Sequence, residues 1–266
     1  MEVIKAIILG ILEGFTEFLP VSSTGQLIVA EDVLSYKDTA EIFTVVIQTG
    51  AVFAVIWFYR HDLISKAAGL LNRDEQTMRF WLYWVVATIP AGLMGFVLQD
   101  EISKQAVAAT VAWSLIIGGV LIWLIEIFHK AAKSDGENPR LDKLNILLAI
   151  KIGLYQMIAL IPGVSRSGAT IMGGLLSGLD RVTATAFSFY LSIPILLLAG
   201  GYQLATGYGE LGTVSGGGTA LAAGTAAAFL TAFATIKWLL HYVSKHDFKI
   251  FAYYRIVLGL VILVVL

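Results

Sequence analysis

Long apolar runs separated by short polar and basic stretches dominate the pattern of the 266-residue chain. Six runs are long enough to cross a bilayer as single helices, at about 42–60, 80–98, 106–128, 186–205, 217–240 and 250–266. The last is short and leans on Tyr253 and Tyr254 as interfacial anchors. Two further segments, 3–30 and 144–179, are equally apolar, but each is interrupted. The interruptions are Pro20-Val21-Ser22-Ser23-Thr24-Gly25 and Pro162-Gly163-Val164-Ser165-Arg166-Ser167-Gly168. Broken backbone at membrane depth is tolerated only when it is buried in protein or lines a wet cavity. Each segment is therefore predicted to be a re-entrant hairpin, with a helix, a broken tip and a returning helix.

The charges between the runs give a direction. Loop 60–79 carries Arg60, Lys66, Arg73 and Arg79, loop 129–143 carries Lys130, Lys133, Arg140 and Lys143, and loop 241–249 adds Lys245 and Lys249. The intervening loops are poor in basic residues: 31–41 has Lys37, 99–105 has Lys104, and 206–216 has none. The positive-inside rule places the first three in the cytoplasm. Six spans satisfy that placement only if both interrupted segments leave on the side they entered, the first from outside and the second from inside.

Composition agrees with a membrane protein. Hydrophobic residues make up 58% of the chain and charged residues 14%, with mean hydropathy +0.81. Soluble domains run at about 25% charged residues, so this chain lacks the polar surface to coat a globule in water. A net charge of −1 excludes a strong pull toward nucleic acid, and the absence of Cys excludes disulfides, thiolate metal sites and Cys nucleophiles. Glu2, Glu13 and Glu17 interrupt the apolar start, so no signal peptide is expected there.

An offset of 143 residues superimposes Ala6 on Ala149, Gly10 on Gly153, Ser22 on Ser165, Gly25 on Gly168 and Ile28 on Ile171, and puts Glu13 on Gln156. Each half, about 1–128 and 144–266 with a cytoplasmic linker at 129–143, then holds one hairpin and three spans. An odd number of spans inverts the second copy. Inverted repeats whose broken helices meet at the midplane are a transporter-like plan. The expected fold is an all-α integral membrane domain with six transmembrane helices, two re-entrant hairpins and an inverted repeat.

The chemistry concentrates at the two breaks. Glu13 and Glu17 are four apart and share one helix face. Two carboxylates inside an apolar segment are costly. They suit a hard cation such as Mg²⁺, which takes one or two carboxylates plus phosphate oxygens, or one could serve as a general base. Ser22, Ser23 and Thr24 can cap a helix, bind phosphate or supply a nucleophile. Arg166, between Ser165 and Ser167, offers a bidentate fork for phosphate at the start of a helix. With no acidic neighbour within five residues it needs a partner from elsewhere, either a phosphate or Glu13/Glu17. His61, His129, His241 and His246 sit in or beside basic loops and read as solvated or headgroup-facing. The sequence carries no His-rich metal motif, Walker loop or G-x-S-x-G elbow, and Gly216-Gly217-Gly218 reads as loop. The small residues of 220–234 suit close helix packing or self-association.

The run Glu13-Gly14-Phe15-Thr16-Glu17-Phe18-Leu19-Pro20-Val21-Ser22-Ser23-Thr24-Gly25, together with Pro162–Thr170 and the Tyr254-Arg255 pair, resembles bacterial undecaprenyl-diphosphate phosphatases, the membrane family associated with bacitracin resistance. The resemblance extends over nearly the whole chain. It implies Mg²⁺- or Ca²⁺-dependent release of phosphate from undecaprenyl diphosphate, recycling the carrier lipid of cell-wall synthesis. It also implies a multi-pass protein of the bacterial plasma membrane, a site opening to the extracytoplasmic side, and a homodimer. Matched by position, Glu13, Glu17, Ser23 and Arg166 are the expected catalytic residues, and Glu13 and Glu17 the metal ligands. Ser22, Thr24, Gln26, Ser165, Ser167 and Gln156 are the expected substrate contacts. The family usually has His directly after Ser-Thr-Gly, where this chain has Gln26. An amide can hydrogen-bond phosphate but cannot transfer its proton at neutral pH. Three alternatives follow: Ser23 with Glu17 as base carries the chemistry, a metal-bound water does, or this paralogue is slow or inactive. A transporter that moves polyprenyl phosphate through the same hairpins is the alternative function.

Overall fold

The computed structural model describes residues 1–36, 42–105, 107–129, 131, 132, 134, 136–207, 209 and 214–265. Among them the chain is helical apart from turns and one isolated bridge between Ala132 and Asp180. Lys37, Lys130 and Lys133, counted in the charge pattern, lie outside the described residues.

The first interrupted segment forms α1 (Glu2–Thr16) and α2 (Ser23–Leu34). The second forms α8 (Ile146–Ile158) and α9 (Arg166–Leu176). Between them lie α3 (Ile42–Phe58), α4 (Arg60–Leu71), α5 (Glu75–Val97), α6 (Gln99–Lys104) and α7 (Ala108–Phe128). The chain closes with α10 (Arg181–Thr206), α11 (Gly217–Lys245) and α12 (Lys249–Val265). Helices α5, α7, α10 and α11 are each long and apolar enough to cross a membrane, and α3 qualifies jointly with α4. With Phe96, Trp113, Ile117, Leu230 and Val257 among many large apolar side chains left on the outside, this is a multi-pass membrane protein.

Several expectations need correction. Residues 60–79 are not a simple loop. They contain α4, which turns by 69° from α3, and only Asn72–Asp74 connect it to α5. Basic residues report the side of the membrane but leave the backbone free to be helical there. Two of the six expected spans, α3 and α12, hold 17 residues each, at the short end of what crosses a bilayer as a single helix. Residues 99–104 form α6 rather than loop, and α10 starts at Arg181, five residues before the apolar run. That early start follows from capping. Asp180 accepts hydrogen bonds from the Thr183 N–H at 3.0 Å and its hydroxyl at 2.6 Å, carrying the helix into polar sequence. Asp74 caps α5 in the same way through Thr77, and the Thr77 hydroxyl and N–H hold its carboxyl below the usual carboxylate range. Gly216 caps α11 in a left-handed conformation, so the glycine triplet is a helix start.

Long-range contacts fix which ends lie together. The first hairpin begins and ends near residues 215–216: Tyr36 donates to the Ser215 carbonyl at 3.0 Å, and Glu2 touches Gly216. The second begins and ends beside the linker, where Arg140 N–H donates to Thr183 at 2.9 Å. One cavity lined by Lys66, Arg79, Leu141 and Leu144 joins α4 and the start of α5 to that linker. Arg181 pairs with Glu126 there, and the Phe248 N–H donates to the same carboxylate at 3.0 Å.

Each hairpin's first helix packs on a helix of the other half. Gly10 and Gly14 of α1 lie against the backbone of Gly224 and Ala228 of α11, so the small residues there are used within the chain. Gly153 of α8 lies against Ala87 of α5 in the same manner. Ser22 and Ser165 both open their helices from a left-handed backbone, with φ 68° and 76°.

Candidate active site

The two broken tips meet, and a buried polar group forms where they join. Glu17 directly follows α1 and keeps helical angles, its N–H donating to the Glu13 carbonyl at 2.9 Å. The chain then turns through Phe18–Ser22 before α2 begins at Ser23. This return brings the Ser23 hydroxyl to Glu17 Oε2, to which it donates at 2.7 Å. From the second tip, Arg166 Nη2 donates to Glu17 Oε1 at 3.1 Å, so Glu17 is the partner the arginine required. Arg166 Nη1 donates to the Ser188 carbonyl of α10 at 2.9 Å, while its buried Nε–H has no acceptor among the described residues.

Glu13 lies one turn before Glu17 with no exposed surface, and among the described residues neither carboxylate oxygen has a hydrogen-bond partner. Gln48 of α3 lies beside both acids, its amide nitrogen 3.5 Å from Glu17 Oε2. A buried carboxylate short of donors is a costly arrangement. It fits a hard divalent cation, for which two glutamates and phosphate oxygens suffice. Among the described residues no group of three or more acidic, His or Cys side chains forms a larger metal cluster.

The serines of the second tip are occupied. Ser165 Oγ accepts from the Gly168 N–H at 3.1 Å and pairs with Ser167 Oγ at 2.9 Å. Ser167 donates to the Leu19 carbonyl at 2.7 Å, stitching tip to tip. Ser22, by contrast, makes no capping bond with its side chain. Gln26 sits one turn past Ser23, its amide nitrogen 3.4 Å from the Val21 carbonyl and 3.3 Å from the Tyr254 hydroxyl. Two expected contacts stand apart from this group. Thr24 is exposed, because the first turn of α2 carries it away from Ser23. Gln156 is buried; its amide nitrogen donates to the Ala87 carbonyl at 3.1 Å, bracing α8 against α5, while its Oε1 has no partner among the described residues. The histidines also stay apart: His241 pairs with Glu137 at 2.7 Å and His246 stacks on Tyr242.

Arg255 of α12, fully buried, holds the junction together. It donates to the carbonyls of Pro20 and Gly163, one on each tip, at 3.1 Å each, and to Ser114 and Leu115 of α7 at 3.1 and 3.4 Å. The sequence marked Tyr254-Arg255 only as part of a resemblance. An Arg inside an apolar run was the signal for a buried role, but its acceptors are main-chain atoms that no side-chain pattern announces.

The family described as bacitracin resistance protein BacA matches residues 6–261, which include both tips, Glu17, Arg166 and Arg255. The chain belongs to that family. It is 46% identical over 263 residues to undecaprenyl-diphosphatase 1 of Burkholderia cenocepacia (strain HI2424), covering 98% of this chain and 94% of the relative. It is 47% identical over 264 residues to undecaprenyl-diphosphatase 1 of Paraburkholderia xenovorans (strain LB400), with 98% and 94% covered. Identity is 46% over 263 residues to undecaprenyl-diphosphatase of Methylobacillus flagellatus (strain ATCC 51484 / DSM 6875 / VKM B-1610 / KT), with 98% and 96% covered. The BacA family match and these relatives thus span both hairpins and the helices that brace them.

Proposed function

We propose that this protein hydrolyses undecaprenyl diphosphate to undecaprenyl phosphate and inorganic phosphate. The observation that carries the chemistry is the Ser23–Glu17–Arg166 chain of hydrogen bonds across the two tips. Glu17 Oε2 stands where it can take the Ser23 proton as the hydroxyl oxygen attacks the terminal phosphorus. The lipid monophosphate leaves, and water then releases phosphate from the serine. Arg166 steadies the developing charge, with its free Nε–H as the first donor available to a phosphate oxygen. Gln26 serves as an orienting amide and plays no part in proton transfer.

Glu13, with Glu17 beside it, would hold Mg²⁺ or Ca²⁺. When bound, that ion would neutralise charge on the diphosphate oxygens. The orphaned oxygens of Glu13 support this assignment.

The same reading treats both broken segments as re-entrant hairpins of an inverted-topology repeat. Support comes from the crossed packing of α1 on α11 and α8 on α5, and from the paired left-handed serines. Arg60, Lys66, Arg79, Arg140, Lys245 and Lys249 favour a cytoplasmic placement for the linker end. The first hairpin then dips from the outer face of the plasma membrane, and the site opens there. A homodimer is carried by the family resemblance alone.

Phosphate release from undecaprenyl diphosphate by purified protein in detergent, with and without Mg²⁺, tests the reading. Wild type should release phosphate, and Ser23→Ala and Glu17→Gln should each lose about a hundredfold or more. Full activity in Ser23→Ala would remove the serine from the mechanism.

A further inference from the structure

The geometry points to Tyr254 as a substrate contact that recognises the lipid-linked phosphate, the one that stays on the prenyl chain. This rests on the phosphatase reading above and adds a residue and a subsite to it. Gln26 lies three residues after Ser23 on α2, so the two side chains share one helix face. The Val21 carbonyl can only accept, so the nitrogen must face it, and the second N–H then points to the Tyr254 oxygen at 3.3 Å. Tyr254 therefore accepts from Gln26 and must send its own O–H elsewhere. Among the described residues that hydrogen finds no acceptor. The Gln26 Oε1 atom is buried and also has no partner, so this corner of the site has one donor and one acceptor unspent.

Depth decides which phosphate they meet. Glu17 and Arg166 side chains are 7% and 10% exposed, and Gln26 is 5% exposed, while Tyr254 is 45% exposed. A diphosphate whose terminal group reaches Glu17, Ser23 and Arg166 must trail its second phosphate toward the rim, because the prenyl chain has to leave to the lipid. The phenol then donates to an oxygen of that second phosphate. Arg255, next in sequence, is locked on both tips, which fixes the position of Tyr254 relative to Ser23.

Isothermal titration in detergent separates the two phosphates, using farnesyl monophosphate and inorganic phosphate as probes. Tyr254→Phe should weaken farnesyl monophosphate binding roughly tenfold or more, the worth of one hydrogen bond to a charged group. Inorganic phosphate, seated at Arg166, should bind the variant as it binds wild type, which also verifies the fold. Tyr253→Phe is the control, since Tyr253 bonds Trp123 at 3.2 Å on another face and should match wild type with both probes. Equal farnesyl monophosphate affinity in Tyr254→Phe and wild type would overturn the assignment. So would an equal loss for both probes, or no farnesyl monophosphate binding by wild type. Failure of wild type to hydrolyse undecaprenyl diphosphate, with the titrations still separating Tyr254→Phe, would instead sink the phosphatase reading alone.

Discussion

Glu17 and Arg166 lie 149 residues apart in sequence, yet their side chains meet at 3.1 Å where two interrupted helices face each other. Neither hairpin satisfies its charge alone. A buried pair of this kind is strongly destabilising when one member is lost, because the other stays behind uncompensated.

Arg166→Ala should therefore lose both activity and stability, by about 3–5 kcal/mol for the orphaned carboxylate. Arg166→Met combined with Glu17→Gln should recover most of the stability and none of the activity. Thermal unfolding in detergent beside phosphate release measures both effects. A single variant as stable as wild type would argue that water already reaches the pair.

The two left-handed serines should behave differently. Ser165→Ala removes a cap that holds the Gly168 N–H and should cost about 1 kcal/mol. Ser22 has no such bond, so Ser22→Gly should be neutral or slightly stabilising by easing a positive φ. Chemical denaturation of the two variants decides the comparison, and a larger loss for Ser22→Gly would contradict it.

Gln26→His introduces a group titrating near about pH 6.5 beside Ser23. A neutral imidazole there can accept a proton, so phosphate release should gain a limb that rises with pH through that range. Wild type should lack this limb. Identical profiles for the two proteins would place position 26 outside the proton path.

Topology is open to thiol labelling, since the chain contains no Cys. Ser35→Cys and Leu71→Cys are both at exposed positions, the first at the end of α2 and the second at the end of α4. An impermeant reagent added to intact cells should modify position 35 and spare position 71. Labelling of both would exclude entry of the first hairpin from the outer face.

Local sequence made part of this architecture legible. The i,i+4 acids, the Pro-bearing breaks and the hydroxyls beside them are short-range features, and Glu17, Ser23 and Arg166 do converge. What was not legible depends on partners far along the chain. Gln48 looks like any polar residue of an apolar helix until α3 packs beside α1. Thr24 looked equivalent to Ser22 and Ser23, but helical periodicity turns it outward. Gln156 aligns with Glu13 by offset, and the carbonyl of Ala87 that its amide nitrogen meets lies on a helix far away in sequence. Helix α4 was hidden because the same basic residues that mark a membrane face are good helix formers.

Among the described residues Arg255 donates to main-chain oxygens alone, and every amino acid supplies one of those. This part of the frame that aligns the two tips is thus blind to which side chains the tips carry, provided the backbone keeps its course. Gly118 is where that tolerance ends: a methyl group there would occupy the space of the guanidinium itself. Chemistry at the tips, including an amide at position 26, is free to be exchanged on a mount that does not have to be rebuilt for it.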